Sequence, residues 1–143
     1  MHLAYVDLGG TVAFVSRLTP REEDQPDLVV SGGLGLAHVT SSDARALTVQ
    51  VAFHGLGGPV TGAHLHLGQA GSNGPVVLDL GAGLGPSEIR VDAVAADLVG
   101  PLAGRDLLAL VNELAAGNVY VNLHTARYPD GELRGQLELA TAP

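Results

Sequence analysis

Two histidines separated by a single residue form the first pattern in the sequence that could do chemistry. His64 and His66 lie in the alternating run Gly62-Ala63-His64-Leu65-His66, which is typical of a β-strand. Residues two apart in a strand project from the same face of the sheet, so both imidazoles point the same way. Imidazole nitrogens bind zinc at about 2.0–2.1 Å, and they also bind copper. The pair therefore indicates part of a transition-metal site, and a structural pair of hydrogen-bonded histidines is the alternative interpretation.

A hairpin near the carboxyl terminus adds a third histidine. The strand that ends at His124 turns through 126–130 and returns from Gly131. A symmetric register then pairs polar residues on one face: His124 with Glu132, Asn122 with Arg134, and Tyr120 with Gln136. The opposite face pairs only apolar residues and glycine, and a slip of one residue would mix the two faces. The pattern therefore predicts this register.

Residues beside His124 in this hairpin have candidate supporting roles. A carboxylate often orients a metal-ligating imidazole, so Glu132 is predicted to hold His124. Arg134 and Asn122 lie next to this pair on the same face, and a surface ion pair between Arg134 and Glu132 is the alternative. In a metal-dependent enzyme, Glu132 or Tyr120 would be the candidate for assisting proton transfer.

Two further histidines lie on predicted strands. His54 ends the strand 47–54 on its polar face and is a candidate fourth ligand, with a solvated strand-end histidine as the alternative. His38 lies on an alternating strand and is expected to be hydrogen-bonded at the edge of the core. No serine stands in a Gly-x-Ser-x-Gly context, so the sequence indicates no serine nucleophile.

Period-two alternation dominates the chain and predicts the strands that must position these side chains. A short strand is predicted near 2–8, and the others at 11–18, 34–40, 47–54, 60–67, 75–80, 87–94, 119–125 and 132–139. Turn residues such as Pro129-Asp130-Gly131 separate them. One segment, 104–116, has helical spacing instead, with Asp106 near its positive end and Gly117 as a left-handed stop.

Several short antiparallel strands with one connecting helix predict an all-β sandwich or a Greek-key barrel. The 143 residues suit a single domain over 1–143. The predicted core consists of the apolar residues of the alternating strands: Leu47, Val49, Val51, Phe53, Leu65, Val121, Leu123 and Leu137.

Composition excludes several classes of partner and cofactor. The net charge is −8, with seven arginines and no lysine, which argues against a nucleic-acid partner. No run of about 18 apolar residues predicts a membrane partner, and the absence of cysteine rules out disulfides and thiolate chemistry. The glycine-rich stretch 81–85 leads into Pro86 and a strand, so no nucleotide cofactor is expected. The amino terminus lacks a basic start, which predicts a cytoplasmic protein if Met1 is the native start, and a secreted or periplasmic one if a leader was removed.

Four ordered blocks of sequence carry a resemblance to a known family. They read Val-Thr-Gly-Ala-His-Leu-His at 60–66, Gly-Ser-Asn-Gly-Pro-Val-Val at 71–77, Ala-Gly-Asn-Val-Tyr-Val-Asn-Leu-His-Thr at 116–125 and Gly-Glu-Leu-Arg-Gly-Gln-Leu at 131–137. With them the chain resembles a CHRD domain, the module named from chordin and also found alone in bacterial proteins, over about residues 14–139. It departs from the family at Glu23-Asp24-Gln25-Pro26, where members usually carry a Glu-Val-Pro-Pro-like run.

The resemblance implies an antiparallel Greek-key sandwich that is immunoglobulin-like or like Cu/Zn superoxide dismutase. It also implies that His64, His66 and His124 occupy the family's histidine positions, with Glu132 and Arg134 in its closing motif. The His-x-His arrangement is similar to the copper strand of those dismutases, but their disulfide cysteines and fuller ligand set are missing. Dismutase activity is therefore not expected, and neither is the growth-factor binding of chordin, whose cysteine-rich repeats are absent.

Three hypotheses about function follow. The first is a binding module that holds copper or zinc through His64, His66 and His124 on the outward, polar face of the sandwich, with His54 as a candidate fourth ligand. The second is a small metal-dependent enzyme that uses the same histidines. The third is a metal-free structural or protein-interaction domain. The expected partners are a metal ion or a small molecule, and the edge strands or the helix could form a homodimer.

Overall fold

The computed structural model describes residues 11–20, 31–42 and 45–140. The strands in these ranges are β1 (Thr11–Leu18), β2 (Leu34–Ser42), β3 (Ala46–His54), β4 (Val60–Leu67), β5 (Val76–Asp79), β6 (Glu88–Ala93), β7 (Val119–Thr125), β8 (Leu133–Gln136) and β9 (Glu138–Leu139). The α-helix α1 spans Leu107–Ala115, and short 3-10 helices occupy Gly81–Gly83, Ala95–Asp97 and Gly100–Leu102. None of the helices in these ranges is long and apolar enough to cross a membrane.

The strands form two antiparallel sheets, which confirms the predicted all-β sandwich. One sheet has the order β6-β3-β2-β1-β9 and the other the order β5-β4-β7-β8. The segment predicted as one strand over 132–139 is divided, because β8 belongs to the four-stranded sheet whereas β9 pairs with β1 in the five-stranded sheet. The strand predicted near 2–8 and the departure from the family at 23–26 lie outside the described residues.

The core between the two sheets follows the alternation of the sequence. Along β3, Leu47, Val49 and Val51 are at most 1% exposed, whereas Gln50 and Ala52 face solvent. Successive side chains of a strand point to opposite faces, so one half of each strand enters the core. The predicted core residues are all buried, and they come from both sheets.

The helix α1 begins later than the sequence pattern predicts. Asp106 is its N-cap and accepts a hydrogen bond from the backbone N–H of Ala109 at 3.2 Å. Gly104 has a φ of +78°, which lies outside the right-handed helical region, so the first turn cannot begin there. The predicted stop is confirmed, because Gly117 has a φ of +77°.

The four-stranded sheet places the third histidine beside the first two. β7 and β8 pair in the predicted register, with Tyr120 opposite Gln136 at one end and Leu123 opposite Leu133 at the other. β4 lies on the other side of β7, where Gly62 is opposite His124. Side chains on one face of neighbouring strands lie within reach of each other, so His124 comes close to the histidines of β4.

A glycine in β8 allows the close approach of β1. A Cβ atom at Gly135 would overlap the hydroxyl oxygen of Ser16 and the carbonyl oxygen of Arg17. We expect Gly135→Ala to lower the free energy of unfolding by about 1–3 kcal/mol, the usual cost of overpacking a buried position. Urea denaturation measures this change. Gly58→Ala is the control, because a Cβ atom there meets nothing within 4 Å, and an equal loss in both variants would contradict the prediction.

Candidate functional site

Three histidines form a cluster on one face of the four-stranded sheet. His64 and His66 come from β4 and His124 comes from β7, and each offers one ring nitrogen within 4.8 Å of the other two. Nδ1 of His64 and Nε2 of His124 are 3.2 Å apart. Two nitrogens that share one ion at about 2.0–2.1 Å are about 3.4 Å apart in a tetrahedral site and at most about 4.2 Å apart. The cluster therefore needs only small ring movements to hold one ion.

Backbone carbonyls fix the protonation of two of these rings. Nδ1 of His66 donates to the carbonyl oxygen of Gly74 at 2.9 Å, and Nδ1 of His124 donates to that of Pro129 at 2.9 Å. A carbonyl only accepts hydrogen bonds, so in a neutral ring the proton is on Nδ1 and the lone pair is on Nε2. In metal-ligating histidines, the ring nitrogen that does not bind the metal usually donates its N–H to an acceptor such as a backbone carbonyl.

One buried ring nitrogen in the cluster has no hydrogen-bond partner among the described residues. Nε2 of His66 is buried and unpaired. A buried polar atom without a partner costs free energy, and an ion bound at its lone pair would satisfy it.

His64 can offer the lone pair of its Nδ1 atom to an ion bound at the cluster. Nε2 of His124 is an acceptor, so in the metal-free protein Nδ1 of His64 donates its proton to it. A change of tautomer moves that proton to Nε2 of His64 without any change in charge. The lone pairs of His64 Nδ1, His66 Nε2 and His124 Nε2 are then available together.

The comparison with known protein families finds one matching family. A family model described as the CHRD domain matches residues 14–137. The chain belongs to the CHRD domain family. No curated protein matches the chain. The resemblance carried by the four sequence blocks is thus confirmed.

The alternation predicted that the polar face of this CHRD domain points outward. In the structure this face is largely buried. Tyr120, Asn122 and Arg134 are at most 5% exposed, and the three histidines are half-buried. The loop 68–74 lies over this face and supplies hydrogen-bond partners to its side chains. Strand alternation shows which residues share a face, but it does not show whether a distant loop covers that face.

Tyr120 and Arg134 form a stack that ends on His66. The ring of Tyr120 is parallel to the ring of His66, with 4.7 Å between centroids, and the guanidinium carbon of Arg134 is 3.5 Å from the Tyr120 centroid. The Tyr120 hydroxyl accepts a hydrogen bond from the backbone N–H of Gly74 at 3.0 Å. Tyr120 therefore positions His66, both directly and through the loop residue that accepts the His66 proton.

Arg134 holds the loop 68–74 instead of neutralising Glu132. Within the described part of the chain, its guanidinium donates to three oxygen atoms of that loop: Gln69 O at 3.1 Å, Ser72 O at 2.6 Å and Asn73 Oδ1 at 3.1 Å. Gln136 donates to the carbonyl oxygen of Gly68 at 2.7 Å, which fixes the start of the loop. The supporting role predicted for Arg134 is thus placed on the loop, and the predicted alternative, a surface ion pair with Glu132, is wrong.

Asn122 lies at the centre of the buried polar face. It is opposite His64 on β4 and opposite Arg134 on β8, and it is 5% exposed. Its side-chain amide donates to the carbonyl oxygen of Leu133 at 3.1 Å. Asn122 therefore joins the strands beneath the histidine cluster.

Glu132 does not orient His124, so that prediction is wrong. Regular pairing of β7 with β8 ends at Leu123, and the backbone N–H of Glu132 donates to the carbonyl oxygen of that residue. The carboxylate is fully buried and accepts hydrogen bonds from Ser31 Oγ at 2.5 Å, Gly57 N at 3.0 Å and Thr125 Oγ1 at 2.8 Å. A buried carboxylate must satisfy several acceptor sites, and these donors meet that need. The carbonyl of Pro129 takes the predicted orienting role.

His54 is not a fourth ligand, because it belongs to the other sheet. It is opposite Leu34 in the pairing of β2 with β3, and it is exposed. His38 was expected at the edge of the core, but it is exposed on β2. The sequence pattern placed His54 on the polar face of its strand but could not assign that strand to a sheet.

Burial and neighbouring charge lower the pKa of two of the clustered histidines and so favour their neutral form. Burial lowers the pKa of His66 below its ordinary value of 6.5, and the charges of His64, His124 and Arg134 lower it further against the raising effect of the Gly74 hydrogen bond. Burial also lowers the pKa of His124, with His64 as the second cause. Neutral imidazoles are the form that binds metal ions.

These lowered pKa values predict how the stability of the metal-free protein depends on pH. The unfolded chain binds protons near pH 6.5, whereas folded His66 and His124 bind them only at lower pH. The stability that these groups contribute is therefore complete above about pH 6.5 and decreases as the pH falls towards the lowered values. Urea unfolding between pH 7.5 and 5.5 measures this, and the His66→Gln, His124→Gln double variant is expected to show a smaller decrease. An equal pH dependence in both proteins would contradict the assignment.

The contacts of Glu132 predict that it contributes to stability and not to the histidine cluster. We expect Glu132→Gln to lower the free energy of unfolding by about 1–3 kcal/mol, because an amide –NH₂ group would face one of the donors. The exposed Glu138 is the matched position, and Glu138→Gln is expected to be neutral. Chemical denaturation compares the variants. A change in the NMR-detected His124 ring tautomer without loss of stability would favour the orienting role instead.

Proposed function

We propose that this CHRD domain binds one transition-metal ion, copper or zinc, through His64, His66 and His124. The observation that carries the proposal is the buried Nε2 atom of His66, which has no partner in the described part of the chain. It lies in the same cluster as Nδ1 of His64 and Nε2 of His124. Three imidazole nitrogens are a suitable donor set for either metal, and they leave one coordination position for water or a small molecule.

The surroundings of the cluster favour a preformed site. Two rings are held by backbone carbonyls, and one is also stacked on Tyr120. Ligands that are already oriented lose little conformational freedom on binding, so more of the interaction energy contributes to affinity. The lowered pKa values of His66 and His124 extend binding to slightly acidic conditions, because protons compete less well for their nitrogens.

Binding is favoured over catalysis by the positions of the two candidate proton-transfer groups. The Glu132 carboxylate is fully buried and bonded to donors outside the histidine cluster. The Tyr120 hydroxyl lies at the backbone of Gly74, where its hydrogen bonds hold the loop. Neither group is free to exchange a proton with a molecule at the cluster.

The proposal predicts which histidines metal binding requires. Protein purified without a histidine tag is expected to bind one equivalent of metal by titration calorimetry and elemental analysis. We expect His66→Ala to lower affinity by at least about 100-fold, because losing a residue that binds the ion costs more than the 10–100-fold typical of residues that only orient a ligand. His64→Ala and His124→Ala are expected to do the same.

Two exposed histidines provide the matched controls. His38→Ala and His54→Ala remove the same side chain from the five-stranded sheet and are expected to leave affinity unchanged. Equal losses in the cluster variants and the controls would indicate adventitious surface binding. No binding by the folded wild-type protein would favour the metal-free hydrogen-bonded network instead.

A further inference from the structure

The charges around the histidine cluster carry an inference about which ion it holds, and this inference rests on the proposed function. All three donors are neutral nitrogens, and among the described residues no carboxylate belongs to the cluster. A bound ion would therefore keep its full positive charge. We propose that the site selects monovalent copper, Cu⁺, over Zn²⁺.

The first argument is a buried positive charge that no described carboxylate neutralises. Arg134 is 2% exposed, and its hydrogen bonds go to two carbonyl oxygens and one amide oxygen of the loop 68–74. The ion pair found in the described ranges, Arg90 with Asp92, is elsewhere on the surface. The buried carboxylate of Glu132 is hydrogen-bonded to Ser31, Gly57 and Thr125 and not to Arg134, whose charge acts on His66.

Arg134 is close enough for its charge to affect an ion at the cluster. Tyr120 lies on β7, between β4 and β8. Arg134 of β8 and His66 of β4 both stack on its ring. At an effective dielectric constant of about 20 and a separation of roughly 8 Å, each unit of ion charge lowers affinity by about 30-fold. A divalent ion carries this penalty twice and Cu⁺ carries it once.

Two carboxylates near the cluster, Asp79 and Asp130, are both exposed. Asp79 is opposite His64 in the pairing of β4 with β5, and its Oδ1 atom accepts a hydrogen bond from Gly81 N. Asp130 acts on His124 from the turn before β8. Water and salt screen exposed charges much more strongly than buried ones, so the effect of Arg134 prevails.

The donor set is compatible with the same ion. Zn²⁺ in proteins is almost always four-coordinate, so here it would need a water molecule as its fourth ligand. Imidazole nitrogens bind copper as well as zinc, so the three histidines can hold Cu⁺. The exposed histidines of the five-stranded sheet are on other strands and cannot complete a tetrahedral set.

The test compares the two ions in the same protein. Wild-type protein is titrated with Cu⁺ without oxygen against a cuprous chelator, and with Zn²⁺ against a zinc chelator. Cu⁺ is expected to bind more tightly than Zn²⁺, and the repulsion by Arg134 is expected to contribute about 30-fold to the difference. Tighter binding of Zn²⁺ would overturn the inference and leave the proposed metal site intact. Failure to bind either ion would overturn the proposed function itself.

A nearly isosteric variant tests the electrostatic cause. Asn122→Asp places a carboxylate opposite both His64 and Arg134. Because the attraction is proportional to the charge of the ion, the fold-increase in Zn²⁺ affinity is expected to be about the square of that for Cu⁺. Equal increases for both ions would contradict the electrostatic explanation.

A surface variant keeps the test independent of the stability of Asn122→Asp. Asp79 is exposed, and asparagine can still accept the hydrogen bond from Gly81 N. We expect Asp79→Asn to change either affinity by less than about threefold, because exposed charges are screened. A large loss of Zn²⁺ affinity alone would show that exposed acids govern the site, and it would overturn the inference.

Discussion

A buried guanidinium must find acceptors for its donors, and this requirement organises the histidine face of the protein. Arg134 satisfies it with the loop 68–74, which is thereby held over the four-stranded sheet. The same loop contains Gly74, whose carbonyl accepts the Nδ1 proton of His66 and whose N–H donates to Tyr120. One electrostatic requirement in β8 therefore fixes the ring orientation and the tautomer of a histidine on β4.

The segment 131–137 contains two buried charges of opposite sign that do not pair with each other. Glu132 accepts hydrogen bonds from Ser31, Gly57 and Thr125, whereas Arg134 donates to the loop 68–74. The hydrogen bonds of each charge are satisfied by neutral partners, which reduces the cost of burying it and fixes a different part of the chain. Between them Leu133 enters the core. This short segment thus holds the chain at Ser31 and at Gly57, the loop 68–74 and the packing of the two sheets.

Most of the fold could be predicted from the sequence, because alternation and turn residues are local signals. The strands β1 to β7, the register of Tyr120 with Gln136 and the shared face of His64 and His66 all follow from period two. The departure of Glu132 from the ladder could not be predicted, since it depends on donors from Ser31 and Gly57, far away in the sequence. His54 was assigned wrongly for a related reason, because alternation gives a face and not a sheet.

The site was only half predictable for the same physical reason. Side-chain ligands are visible in a sequence, but the groups that orient them here are the backbone carbonyls of Gly74 and Pro129, and every residue has a carbonyl. The carbonyls of Gly74 and Pro129 accept from the histidines because their loops lie beside the rings. Arg134 and the turn before β8 determine the positions of these loops. The chemistry of the cluster thus depends on residues with no metal-binding character. A change that displaces either loop would alter histidine tautomers without removing any histidine.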